Sequence, residues 1–325
     1  MSRTRRVLSY ALTWTCLAGT SDVLAQDMAA RTDTIRLRFG WPAGTTARIQ
    51  TTRYREQISE TSDTTFMSAD YRMSVTAHPE GLLVSYDDFR FPTVVDSTDG
   101  RDVNALAQRA ASMVPKFVVG TGGEFVRIDD VASIRAGLDS MMAELLGPDA
   151  DAADVREALA AMLSEEALTG LAAEEWNAVV GMWIDADLEL GAVYELEDQA
   201  PLPILPGVVV PMISEFSIES RTACEAGGAD SACVELHYVS YPEPAAVKAA
   251  LAEYLERLPA VPGMSSFAFE DLEVENEIII VTEPATLRPH RMQITKAVSG
   301  VVTAGGERSE VTQLDVRTYQ YTYTR

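Results

Sequence analysis

Thr65-Phe66-Met67-Ser68-Ala69-Asp70-Tyr71-Arg72-Met73-Ser74-Val75-Thr76-Ala77 decides the fold class. Thr65, Met67, Ala69, Tyr71, Met73, Val75 and Ala77 take alternate places, with Ser68, Asp70, Arg72, Ser74 and Thr76 between them. Successive side chains of a strand point to opposite faces, so this period predicts a strand with one face in a core and one in water. His78-Pro79-Glu80-Gly81 turns the chain and Leu82 to Phe91 returns. There the apolar phase slips from Leu82, Val84 and Tyr86 to Phe89 and Phe91, which predicts a bulge near Asp87-Asp88 and a bend in the sheet.

Strand patterns recur outward from this pair. Thr34 to Gly40 and Thr45 to Ser59 precede it, joined through the turn Trp41-Pro42-Ala43-Gly44. Phe117 to Thr121 and Glu124 to Ile128 predict a tight hairpin over Gly122-Gly123. Asp187 to Glu197 alternates Leu188, Leu190, Ala192, Tyr194 and Leu196 on one face. An apolar strap, Leu202 to Met212, holds Pro203, Pro206 and Pro211, which exclude it from a central strand. Three strands close the chain: Glu273 to Thr282, His290 to Thr303 and Glu307 to Thr324. In the last, Leu314 and Val316 give way to Tyr319, Tyr321 and Tyr323, which predicts a second bend. Short connections make these strands, about ten of them, mostly antiparallel.

One long stretch, Asp129 to Asp185, has another period. Val131, Ile134, Leu138, Met141, Met142 and Leu145 recur at helical spacing, as do Val155, Leu159, Met162 and Leu163, then Trp176, Val179, Val180 and Trp183. Asp129 or Asp130 caps its start, and Gly147-Pro148 and Gly170 divide it. Val103 to Val114 predicts a short helix. Another opens at Pro244 with Val247, Leu251, Tyr254 and Leu258 in one stripe. Apolar stripes need cover, and the strands are the available partners. The expected fold is α+β: a strongly curved antiparallel sheet, a half-barrel, packed against the helical insertion at about 129–185.

The chain has 325 residues and 47% hydrophobic content, which fits a single globular domain with a sizeable core. That domain is expected over residues 26–325, because residues 1–25 read as a signal peptide. Arg3, Arg5 and Arg6 form its basic start, Val7 to Ala18 its apolar centre, and Val23-Leu24-Ala25 its cleavage site. The apolar run is too short and too broken by Ser and Thr to span a bilayer. The mature chain is therefore expected to be exported, periplasmic or extracellular, with no transmembrane helix. Losing three Arg and one Asp moves the net charge from −23 to −25. Such acidity argues against nucleic acid and anionic lipid headgroups as partners. Cys224 and Cys233 flank a Gly-rich turn between strand patterns, so in an oxidising compartment they are expected to form a disulfide pinning a hairpin.

Catalytic signatures are absent from the sequence: no H-E-x-x-H, G-x-S-x-G, P-loop or G-x-G-x-x-G occurs. His78, His237 and His290 are isolated along the chain, and neither a metal nor a cofactor is expected. Glu165-Glu166 and Glu174-Glu175 are neighbours on a helix, so they do not converge on one point. Asp149, Asp151 and Asp154 lack the Gly and Glu of a calcium loop. What rises above background is apolar. Met67, Met73, Leu138, Met141, Met142, Met162, Trp176 and Trp183 are the candidate lining of an apolar ligand site. Ordinary core packing is the competing reading of the same residues.

Three local features carry a resemblance. They are Phe39-Gly40-Trp41-Pro42-Ala43-Gly44-Thr45-Thr46, the run from Phe117 to Ile128 leading into a helix, and Glu283-Pro284-Ala285-Thr286-Leu287-Arg288-Pro289. With them the mature chain resembles a family of secreted bacterial proteins defined by a domain of unknown function. More distantly, its order of strands and helices is similar to periplasmic lipoprotein carriers, whose half-barrel holds acyl chains against helices. None of the carriers' motif residues is found here. The resemblance implies an exported, β-rich protein without known activity. The resulting expectation is a non-enzymatic protein binding a lipid, another apolar small molecule or a lipidated partner between sheet and helices. The alternative is a structural or interaction module of the cell envelope, with a filled core and no ligand.

Overall fold

The computed structural model describes residues 33–59, 62–95, 107–109, 111, 113–146, 164–201, 209–225, 228, 232–257, 267–304 and 307–324. The expected signal peptide, most of the expected 103–114 helix, Met162 and strap residues 202–208 lie outside them. Strands are β1 (Thr34–Arg36), β2 (Thr46–Ile58), β3 (Ser62–His78), β4 (Gly81–Val95), β5 (Phe117–Val119) and β6 (Phe125–Ile128). After them come β7 (Asp187–Glu189), β8 (Val193–Pro201), β9 (Val209–Thr222), β10 (Cys233–Pro242), β11 (Phe267–Thr282), β12 (Pro289–Ala304) and β13 (Glu307–Tyr323). Helices are α1 (Val131–Leu146), α2 (Glu165–Val179) and α3 (Pro244–Arg257). No helix among the described residues is long and apolar enough to cross a membrane.

Eleven strands form one sheet in the order β6-β5-β4-β3-β2-β13-β12-β11-β10-β9-β8, with every pair antiparallel. The order is linear, with β6 and β8 at its edges, so the sheet is not closed. This is a sheet-dominated α+β fold. The alternation read in β3 sets its faces: Met73 and Val75 are buried, and the register places Met73 beside Ala47 and Tyr86. The expected bulge is present. Register shifts between Asp70 and Arg72, and Asp88 takes a left-handed φ of 53°. Side-chain capping starts the helices, with Asp130 accepting from Ser133 N and Ser164 from Ala167 N.

Three expectations are corrected. The pattern from Asp187 to Glu197 is two strands, because Gly191 turns the chain at a φ of 75°. As a result β7 pairs with β1 in a separate two-stranded sheet, and Leu190 and Leu196 are exposed. The end of the strap is also a strand. Val209 to Met212 opens β9, which lies between β8 and β10. Pro211 is tolerated there because pairing with β10 stops at Met212, so no N–H is owed on that side. Finally, the phase change read in β13 is not a break in pairing. That strand's register runs unbroken against β2 and β12, so Leu314 and Val316 lie on the face opposite Tyr319, Tyr321 and Tyr323. Tyr54, directly across from Val316, gives that apolar side chain a partner on the outer face.

The core lies on one face of the sheet. Ile49, Met73, Val75, Val84, Ile218, Leu236, Ile280 and Met292 are buried there with Trp176, Val180 and Trp183. A second cluster sets Val247 and Leu251 of α3 against Val210, Met212 and Val274. A third joins Ile134 of α1 to Leu168 and Ala172 of α2, over Ile128. Away from these, Cys224 and Cys233 are bonded, with Cα atoms 5.0 Å apart and nine positions apart in sequence. Replacing both cysteines by serine is expected to lower stability by about 2.5 kcal/mol, the loop-entropy value for so short a loop. Urea unfolding followed by circular dichroism measures it, and an unchanged midpoint would show that the hairpin needs no pin.

Candidate functional site

The three sequence features behind the resemblance meet in space. Gly40 N donates to Thr286 O and Arg38 N to Pro284 O, tying the first feature to the third. Trp176 Nε1 donates to Gly123 O at 2.7 Å, tying α2 to the second. Gly123 has a φ of 95°, and a Cβ there would meet the Phe39 ring at 2.5 Å, so only glycine fits. Trp176 stands edge-on to Phe39, Trp41 and Phe117 at 6.0, 5.3 and 5.4 Å between ring centroids. Trp41 Nε1 is buried with no partner among the described residues. This convergence holds the fold together.

The candidate ligand-lining residues separate. Met73, Trp176 and Trp183 are buried at 1, 3 and 1% exposure in the main core cluster. Leu138 packs on the α1–α2 cluster, and Met141 is half-buried further along α1. Met67 is half-buried on β3 opposite Arg53. Met142 lies in α1, with its side chain outside the described set.

Two rows crossing the covered face fall outside that sequence reading. Register places Met67, Arg53, Arg317, Ile294, Ile278, Tyr238, Phe216 and Tyr194 side by side from β3 to β8. The next row reads Thr65, Arg55, Asp315, Lys296, Asn276, Ser240, Ser214 and Leu196. A polar belt thus borders a mostly apolar strip, between the core under α2 and the cluster under α3. Burying polar groups is costly unless they are paired. Asp315 accepts from Arg53 at 2.5 Å and from Arg317 at 3.3 Å, and Ser214 bonds the Tyr238 hydroxyl at 3.1 Å. Burial would raise the Asp315 carboxyl, but these guanidinium bonds hold it below the usual range. Asn276 Oδ1 is buried without a partner among the described residues. Charged residues in phase with buried ones, at 53, 315 and 317, were the signal available in the sequence.

Above the rows stand tyrosines. Tyr86, Met73, Ala47 and Tyr323 share one line, and Tyr71, Ile49 and Tyr321 the next. The hydroxyls of Tyr71, Tyr86 and Tyr321 bond no other described residue, and burial raises all three pKa values. On α2, desolvation lifts the Glu175 carboxyl above the ordinary range, with Arg317 opposing. Its neighbour Glu174 pairs with Lys296 at 3.8 Å.

Two further features lie away from these rows. His290 comes within 4.8 Å of both cysteine sulfurs, but those sulfurs are bonded to each other. A groove of about 490 Å³ opens on the opposite face of the sheet, lined mainly by polar side chains including Gln50, Thr52, Arg291, Gln293, Thr318 and Gln320.

No protein-family model matches the chain, and no curated protein matches it. Among solved structures, one described as lipid–protein interactions in lipovitellin aligns at 9% identity and a TM-score of 0.41, over 87% of this chain. The chain spans only 25% of that lipovitellin chain. An outer membrane channel from Pseudomonas putida F1 aligns at 8% identity and a TM-score of 0.18, over 88% of this chain and 98% of the channel. Both scores are too low to show a shared fold.

Proposed function

We propose that this is a non-enzymatic exported protein that binds an amphipathic ligand along the covered face of its sheet. In this reading the sheet is a half-barrel, and α2 and α3 flank the ligand. The observation that carries it is the polar belt running beside the strip of Ile294, Tyr238, Phe216 and Tyr194, none of them fully buried. An apolar ligand body would lie on the strip and a polar end on the belt, where Asn276 Oδ1 has no partner of its own among the described residues. The disulfide fits the oxidising compartment that export requires.

A second reading, a structural module of the envelope, draws on the close packing of Met73, Trp176 and Trp183, which leaves those residues committed to the core. Native mass spectrometry of protein purified from its own compartment, with titration of a fluorescent fatty acid, separates the two. A co-purifying lipid or saturable binding is the expected result. If neither is found, the ligand reading falls and the structural module stands.

A further inference from the structure

The two edges of the large sheet differ. β6 has four residues, and its Ile128 is buried with Ile134 of α1 and Leu168 of α2. β8 has nine residues, paired in unbroken register with β9 on one side. No other described strand pairs with it in the large sheet. In an antiparallel pair every second residue turns its N–H and C=O away from the neighbour, so about four residues of β8 offer both groups on the far side. Along this edge Val193 and Leu196 are 64 and 54% exposed, and Glu195, Glu197, Asp198 and Gln199 are exposed with them. A long open edge with apolar side chains is where another chain can add a strand.

Alternation gives the edge two chemically distinct sides. On the covered side the Tyr194 ring is stacked on Phe216 of β9 at 5.7 Å, and its hydroxyl accepts from Glu189 N at 3.0 Å. That holds the ring with its far face turned away from β9, on the same side as Leu196. On the opposite side stand Glu195 and Glu197, with Glu195 directly across from Glu215 of β9. Like charges in that position repel. Neither β8 nor the residues 209–217 paired with it include a lysine or arginine, and Glu195 and Glu197 form no ion pair with any described residue. We propose that β8 takes up an extended segment of a partner protein as a further strand, one in which basic residues alternate with apolar ones. The basic side chains face Glu195 and Glu197, and the apolar ones lie beside Tyr194 and Leu196. A second copy of β8 is disfavoured as the occupant, because it sets acid against acid. Acidic residues also guard an edge against aggregation, but that role leaves the exposed Val193 and Leu196 unexplained. The inference does not rest on the ligand reading.

The test uses short fluorescent peptides and anisotropy, with the full mature chain at ionic strength ~0.15 M. One peptide alternates lysine and valine. Another has the same charge but prolines in place of its central valines, and a third alternates glutamate and valine. The lysine–valine peptide is expected to bind about tenfold tighter than its proline form, which cannot continue a ladder of backbone hydrogen bonds. Once bound, it should slow amide hydrogen exchange in β8 and leave β6 unchanged. Glu195→Lys combined with Glu197→Lys should reverse the preference in favour of the glutamate–valine peptide. Both side chains are exposed, so that variant should keep its circular dichroism and unfolding midpoint. Equal binding of the lysine–valine peptide and its proline form would mean attraction to the acidic surface alone and would overturn the edge assignment. So would no binding at all, unslowed exchange in β8, or an unaltered preference in the double variant. None of these outcomes bears on fatty-acid binding, which tests the ligand reading separately.

Discussion

Trp176→Ala is expected to lower the unfolding free energy by about 4 kcal/mol, within the range for removing a large aromatic from a core. Trp176 is 3% exposed and meets three other rings edge-on, so its removal leaves a cavity that backbone ties on several sides keep from collapsing. The loss also strips Gly123 O of its indole donor. Trp176→Phe separates the two contributions. It keeps most of the ring contact and should cost about 1 kcal/mol for the hydrogen bond alone. Urea denaturation by far-UV circular dichroism reads both. A Trp176→Ala loss under about 1 kcal/mol would mean that α2 is not docked where it is described.

Acid should cost the protein nearly as much through Glu283. Burial by itself would raise this carboxyl. Hydrogen bonds from His290, Thr286 and Arg288 outweigh burial and draw it from 4.5 down to about 2. The carboxylate lies 3.0 Å from His290 Nε2 and 2.8 Å from Arg288 Nη2, and its side chain is 21% exposed. A carboxyl depressed in the folded state stabilises the fold above its unfolded pKa. That stabilisation is lost as pH falls through the folded value. Here the window runs from about pH 4.5 down to about 2, and its full size is about 3 kcal/mol before solvent screening. Glu283→Gln should remove most of this acid-dependent loss and lower stability at pH 7. If the slope of stability against pH between 4.5 and 2 is the same in the variant, the loop is not held by this carboxylate.

Much of the fold can be read from local pattern. Alternation in β3 gave a strand and its buried face, and the phase slip at Phe89 gave a bulge that Asp88 now accounts for. The same rule misled in β13. There Leu314 and Val316 read as a change of phase, whereas they lie on an outer face with its own apolar neighbour, Tyr54. Periodicity reports which residues share a side, not whether that side is covered. It likewise ran Leu188 and Leu196 together across Gly191, because a turn of two or three residues can preserve parity by chance.

The candidate site was less legible. Side-chain type singled out Met73, Trp176 and Trp183, and tertiary packing consigned them to the core. Arg53, Asp315 and Arg317 drew no reading from local sequence, and Glu175 read only as one of two neighbours on a helix. Residues 53 and 315 are far apart in the chain, and only the pairing of β2 with β13 brings them together.

By itself the sequence determined the strand-rich class, the helical interruption and the cysteine pair, since backbone period and a short Gly-rich turn are local properties. Strand order, the meeting of the three motif loops and the polar row across the sheet were decided only in three dimensions. Sheet register joins residues hundreds of positions apart, and the cost of burying a charge depends on which partner that register supplies.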